Sequence, residues 1–247
     1  MPFEKRISLL GLAVLVSWML GCVTAGVDTM DYSPPQEPQD IDNEVIVEAD
    51  FLQVWDLLIR ELSKSYFVIN NVEKASRLIN LSFHTTEPEE FVDCGSTKRT
   101  HSFLGDTEVY EYQTASASKF KLAGDILPNA SAAWEIEVFR KPSLEGRINV
   151  YVAPVESGTE ITVNTRYILE TKADQFSRLL NAQRAVLGSN SGSVEPFTIS
   201  FNTNTRGSVK WDGDPQGRST ICYATGVMED SILDLVRADQ NPYWVPN

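Results

Sequence analysis

The most regular pattern of apolar residues in the chain predicts a helix that begins after Asp50. Its apolar side chains recur every three or four residues, at Phe51, Val54, Trp55, Leu58, Ile59 and Leu62. Asp50 is of a type that caps helix N-termini, and Gln53 stands three residues later, where the partner in a capping box stands. This spacing makes one broad apolar face, so we predict an amphipathic helix that packs on the core.

Alternating apolar and polar residues predict strands on both sides of this helix. In the clearest stretch, from Ala133 to Arg140, the apolar Trp134, Ile136 and Val138 alternate with glutamates. Other predicted strands cover residues 45–49, 66–70, 78–83, 108–113, 119–122, 147–153, 161–164, 197–201 and 219–224. Alternation with one polar face is typical of an antiparallel sheet that is covered on one side.

Two more helices are predicted in the C-terminal half. Thr171 and Asp174 open the first, whose apolar residues recur at helical spacing as far as Leu187, before Gly188. The second runs from about Val227 to Arg237. Helices on one face of an antiparallel sheet define an α+β class, and we predict a helix-grip-like arrangement.

The first 21 residues predict a secretory signal peptide, because a basic start precedes an apolar run from Ile7 to Leu20. That run is shorter than the roughly 20 residues that a membrane-spanning helix needs. Residues 19–22, Met-Leu-Gly-Cys, resemble a bacterial lipobox. The resemblance implies cleavage before Cys22 and a lipid anchor of diacylglycerol and an acyl chain such as palmitate on that residue. The alternative is an ordinary cleaved signal with Cys22 as a free thiol.

Val23 follows the cysteine where an inner-membrane lipoprotein of the enteric type has aspartate. The resemblance therefore implies an outer-membrane anchor that faces the periplasm, rather than an inner-membrane one. Residues 22–43 are polar and proline-rich and predict a flexible tether. Residues 44–247 are then expected to form a single α+β globular domain.

Charge and cysteine content bear on two questions: whether the protein binds nucleic acid and whether it forms a disulfide. The formal net charge of −13 argues against nucleic acid, whose binding depends on Lys and Arg that neutralise phosphates. Cys94 and Cys222 make an even pair in an oxidising compartment, so they are candidates for a disulfide. The alternative is two buried thiols that act as small apolar residues.

Candidate chemistry is sparse along the chain. Neither His84 nor His101 stands at a spacing that zinc sites use, so no metal site is predicted. No phosphate-binding glycine loop occurs, and we expect no cofactor. A hydrolase would require two acidic residues that converge with a histidine in a cleft.

The lipidated Cys22, the proline-rich stretch after it, and Asp50-Phe51 with Trp55 ahead of residues 67–69 together resemble BamC-type lipoproteins. These belong to the outer-membrane barrel-assembly machinery. The resemblance implies a non-enzymatic accessory or scaffold that contacts an envelope protein partner. The alternative is a carrier for an apolar ligand or lipid, in which Trp134, Ile136, Phe197 and Phe201 line a cavity; the same four residues also suit an ordinary core.

Overall fold

A computed structural model describes residues 26–37, 40–127, 131–211 and 217–237 of the chain. Within these residues the chain forms thirteen strands, two α-helices and one turn of 3-10 helix at Pro88–Glu90. The strands of the first half are β1 Val27–Ser33, β2 Glu44–Val47, β3 Val68–Glu73, β4 Leu78–Thr85, β5 Val92–Asp93, β6 Ser96–Phe103, β7 Asp106–Gln113 and β8 Ser118–Ile126. The remaining strands are β9 Ala132–Val155, β10 Gly158–Asn181, β11 Val186–Asn202, β12 Gly207–Lys210 and β13 Ser219–Ala224. The helices are α1 Phe51–Leu62 and α2 Val227–Leu233.

The strands form three antiparallel sheets. The largest has the order β11-β10-β9-β4-β3, with β2 also paired to β10 and β8 also paired to β9. The smaller sheets have the orders β1-β6-β7 and β12-β13-β5. Strands β9 and β10 have 24 residues each and form one hairpin, which at about 3.3 Å per residue is roughly 80 Å long. We call the end of this hairpin at Ala132 and Asn181 the distal end.

The predicted α+β, helix-grip-like class is wrong, because 63% of the described residues are in strands and 11% are in helices. The main error is the helix predicted after Thr171, where the chain continues β10 and then enters β11. Residues four apart, such as Phe176 and Leu180, share one side in both a helix and a strand. Their spacing therefore could not distinguish a helix from a strand. The segment is a strand because β10 pairs with both β9 and β11.

Helix α1 and its cap confirm the prediction made from the apolar stripe. The Asp50 carboxylate accepts a hydrogen bond from the backbone N–H of Leu52 at 2.8 Å. Val54, Leu58 and Leu62 are buried in the main hydrophobic core, which also includes residues of β4, β9 and β10. Helix α2 starts at the predicted Val227 but ends at Leu233, before the predicted Arg237.

A second, smaller apolar cluster lies at the distal end. Its buried members are Phe103, Ala133 and Leu180, and Leu104, Ala123 and Ile126 pack against them. This cluster joins the β1-β6-β7 sheet to the distal part of the long hairpin.

The predicted tether over residues 22–43 is wrong for Val27–Ser33, which forms β1 and pairs with β6. Met30 and Tyr32 alternate with exposed neighbours along this strand. The Tyr32 hydroxyl accepts a hydrogen bond from the N–H of Ile221 at 2.9 Å, and so links β1 to β13. The proline-rich composition that predicted the tether begins only at Pro34.

A close contact between β4 and β9 gives a test of the packing. Gly146 stands opposite Phe83, and a Cβ built on Gly146 would overlap the Phe83 ring. We expect Gly146→Ala to lower the free energy of unfolding by about 1–3 kcal/mol, the usual cost of overpacking. Denaturant unfolding of Gly146→Ala, Phe83→Leu and the double variant measures this. The double variant should recover part of the loss, and strictly additive costs would contradict the contact.

Candidate functional site

An open cleft of about 580 Å³ lies where the three sheets meet. Strands β6 and β7, the middle of β9 and β11, and the β12–β13 pair all contribute side chains. The residues that define its chemistry are Arg99, Tyr112, Arg140, Phe197, Trp211 and Arg218. The cleft therefore combines cationic groups with aromatic ones, in a chain whose net charge is negative.

Arg99 is held against aromatic rings. Its guanidinium carbon lies 4.3 Å from the centroid of the Phe120 ring, and its Nε donates a hydrogen bond to the Tyr112 hydroxyl at 3.0 Å. The Phe120 and Tyr112 rings are themselves stacked, with centroids 5.8 Å apart. Stacking of this kind fixes the plane of a guanidinium without neutralising its charge.

Arg140 is held by neutral groups in a similar way. Its guanidinium carbon lies 5.4 Å from the centroid of the Tyr112 ring. It donates hydrogen bonds to the carbonyl of Thr114 at 2.8 Å and to the Ser118 hydroxyl at 3.2 Å. Burial lowers the pKa of Arg140, and the charge of Arg99 acts in the same direction while Tyr112 opposes it.

The two guanidiniums form no ion pair with any carboxylate of the described residues. Glu195 lines the cleft but does not reach either of them within ion-pair distance. Two partly desolvated cations with neutral partners favour the binding of an anion, which would relieve their mutual repulsion.

Apolar and aromatic side chains line the cleft beside these cations. Phe197 of β11 is half-buried there. The Trp211 indole N–H donates to the Thr220 hydroxyl at 2.8 Å, which fixes the ring, and the Arg218 guanidinium carbon lies 4.8 Å from the Trp211 ring. A ligand in this cleft can therefore meet cationic and aromatic groups together.

The structure brings one of the four predicted ligand-lining residues into the cleft. Phe197 lines it, whereas Phe201 is buried in the main core with its ring stacked 5.4 Å from that of Tyr167. Trp134 and Ile136 lie in the distal part of β9, beneath Gly124 of β8. Phe201, Trp134 and Ile136 are not among the residues that line this cleft.

Sequence reasoning missed the arginines, although one signal pointed to Arg140. Residues of even number in β9 face inward along most of the strand, as Val138, Leu144 and Ile148 do. Arg140 is a charged residue in that inward register. A charge at an inward position of an alternating strand is unusual and marks a candidate site.

Of the predicted cysteine roles, the pairing of Cys94 with Cys222 is confirmed. The two residues form a disulfide with Cα atoms 4.1 Å apart. Cys22, the predicted site of lipidation, lies outside the described residues.

Two acidic residues do converge on a histidine, but the site is closed. Asp28 Oδ1 lies 2.8 Å from His101 Nδ1, and Glu135 Oε1 lies 3.6 Å from His101 Nε2. His101 is only 2% exposed, so a substrate cannot reach it in this structure. The condition set for a hydrolase, convergence in a cleft, is not met here. His84 is exposed, and no group of three or more His, Cys, Asp or Glu side chains among the described residues is arranged so that it could hold a metal ion.

Comparison with known proteins adds no relative. No family model, curated protein or solved structure matches the chain. The resemblance to barrel-assembly lipoproteins therefore stays a prediction. In the part of the chain that the structure describes, no helix is both long and apolar enough to span a membrane.

Proposed function

We propose that this protein is a lipid-anchored, non-enzymatic binding protein of the cell envelope that takes an anionic ligand with an apolar part in the cleft. The observation that carries the proposal is the pair Arg99 and Arg140, which line the cleft and are held by aromatic and neutral polar groups. Ligand binding is one of the two functions that the sequence left open. The accessory or scaffold role stays a prediction.

The chemistry of the cleft limits the class of ligand. Arginine presents several N–H donors in a plane, which suits carboxylate, phosphate or sulfate groups. Phe197 and Trp211 offer flat apolar surfaces in the same cleft. The ligand we expect is therefore amphipathic rather than purely apolar, which modifies the carrier that the sequence suggested.

The proposed location rests on the signal peptide, the lipobox-like residues before Cys22 and the disulfide between Cys94 and Cys222. Disulfides form and persist in oxidising compartments such as the periplasm. This supports export of the chain and fits an outer-membrane anchor that faces the periplasm. An envelope protein partner remains part of the expectation from sequence alone.

The binding proposal can be tested with the fluorescent probe 1-anilinonaphthalene-8-sulfonate. This probe offers a sulfonate to the guanidiniums and fused aromatic rings to Phe197 and Trp211. We expect Arg99→Gln and Arg140→Gln each to weaken its binding at least about tenfold, because a charged donor to an anion is lost. Fluorescence titration of the folded protein measures the change.

Arg147→Gln is the matched control, because Arg147 lies on the same strand as Arg140 but is exposed and pairs with Glu145 at 2.8 Å. It should bind the probe as the unaltered protein does. Thermal unfolding of each variant shows whether a loss of binding comes from a loss of structure. If Arg99→Gln binds the probe as tightly as Arg147→Gln does, the cleft is not the anion site.

A further inference from the structure

The distance along the chain from the anchor to the fold is short. Gly26 stands four positions after Cys22, and four steps of fully extended chain span about 14 Å. Gly26 is already packed in the fold, because a Cβ built on it would overlap Ala123 and lie 3.0 Å from the Phe103 ring. A lipid on Cys22 therefore holds the part of the fold around Gly26 close to the bilayer surface.

Gly26 lies at the distal end of the molecule. Phe103, which it contacts, belongs to the apolar cluster with Leu180, the last buried residue of β10. The turn that follows β10 is tied to the same place, because Arg184 donates to the carbonyl of Leu104 at 3.3 Å and pairs with Asp106. The β6–β7 turn and the β10–β11 turn thus stand side by side at this end.

Apolar side chains are exposed at the same end. Val186 and Leu187, at the start of β11, are 59% and 58% exposed, and Val27 beside Gly26 is 59% exposed. Val186 is the strand partner of Leu180, which places it beside the distal cluster. Exposed leucine and valine next to a membrane attachment point can enter the interfacial region of a bilayer.

We propose that the distal end, with Val186 and Leu187 foremost, docks on the lipid surface and holds the long hairpin upright on the membrane. The inference depends on the proposed anchor at Cys22. The occupant is a zwitterionic phospholipid surface rather than an anionic one, because Asp106 and Asp125 are exposed at this end and Arg184 is paired with Asp106. The opposite end, at the β9–β10 turn, then stands roughly 80 Å away from the membrane.

A nitroxide label at Leu187→Cys tests this orientation. The full-length lipidated protein is reconstituted in vesicles of phosphatidylethanolamine and phosphatidylcholine, and the label's accessibility to oxygen and to a water-soluble nickel complex is measured. The native disulfide and the acylated Cys22 leave the introduced thiol free for labelling. Glu156→Cys, at the exposed β9–β10 turn, is the matched control.

We expect the nickel complex to relax the label at position 187 at least about threefold less than the label at 156, with oxygen showing the opposite order. If the labels at 187 and 156 are equally accessible in a protein whose intact mass includes the lipid, the docking surface is overturned but the anchor at Cys22 is not. An intact mass without lipid on Cys22 overturns both the anchor and this inference. Protection that disappears when the protein is diluted in lipid identifies a second copy as the occupant, and so also overturns the inference.

Discussion

Replacing Cys94 and Cys222 together by alanine should lower the free energy of unfolding by about 4–5 kcal/mol. The disulfide closes a loop across 128 positions, so it removes many conformations from the unfolded chain. That loss is a large part of the stability of an ordinary domain, which is about 5–15 kcal/mol. The double variant should therefore unfold at a much lower denaturant concentration.

The position of the disulfide gives a second reason for a large effect. Cys222 lies in β13, and Cys94 lies between β5, which pairs with β13, and β6, so the bond fixes β13 to the connection that leads into the β1-β6-β7 sheet. Both cysteines are buried, and the carbonyl of Cys94 lies 3.2 Å from the hydroxyl of Tyr32 in β1. Loss of the bond should therefore loosen a part of the fold that contributes side chains to the cleft.

Urea unfolding of the double variant, with and without reductant, measures the effect. Reductant should shift the unfolding midpoint of the unaltered protein toward that of the variant and leave the variant unchanged. A loss below about 1 kcal/mol would mean that the loop-closure account does not apply to this chain. A change in the slope as well as the midpoint would point to a more expanded unfolded state.

The elements that the sequence predicted well are those whose signals are local. Helix α1 follows from its apolar stripe and from Asp50, because both act within a few residues. The disulfide could be predicted because an even pair of cysteines in an oxidising compartment is enough to propose one. Neither signal depends on which distant segments meet.

What the sequence did not reveal depends on distant pairing. Residues 171–181 are strand because β9 and β11 flank them, and β1 forms because β6 offers an edge to Val27–Ser33. The cleft also depends on such pairing, since Arg99 lies in the β1-β6-β7 sheet, Arg140 lies in the largest sheet and Trp211 directly follows β12 of the third. The sequence shows only that Arg140 stands at an inward-facing position of an alternating strand. That marks the position as unusual but does not say what would bind there.

A buried carboxylate offers the second large effect on stability. Glu229 in the first turn of α2 is fully buried and accepts a hydrogen bond from the hydroxyl of Tyr167, whose oxygen lies 2.9 and 2.8 Å from the two carboxylate oxygens. The hydroxyl of Thr203 donates to it at 2.6 Å. Burial, together with the adjacent carboxylate, raises the pKa of Tyr167 well above its usual range, so the phenol remains a donor. The cluster ties α2 to β10 and to the residue after β11.

Glu229→Ala should lower the free energy of unfolding by about 3–5 kcal/mol. Two buried hydroxyls would lose their acceptor, at about 1–3 kcal/mol each, and the missing side chain would leave a cavity. Glu229→Gln should cost clearly less, because the amide fills the same space and still accepts a hydrogen bond. Denaturant unfolding of the two variants at one pH gives the comparison.

Asp230→Ala is the matched control, because Asp230 is the next residue in the same helical turn but is exposed, and it pairs with Arg237 at 3.1 Å. An exposed pair of this kind contributes about 0.2–1 kcal/mol, so its removal should cost little. Equal losses for Glu229→Ala and Asp230→Ala would show that helix-end charge, and not the buried hydrogen bonds, sets the effect. A loss for Glu229→Gln as large as that for alanine would instead show that the cluster requires the negative charge itself.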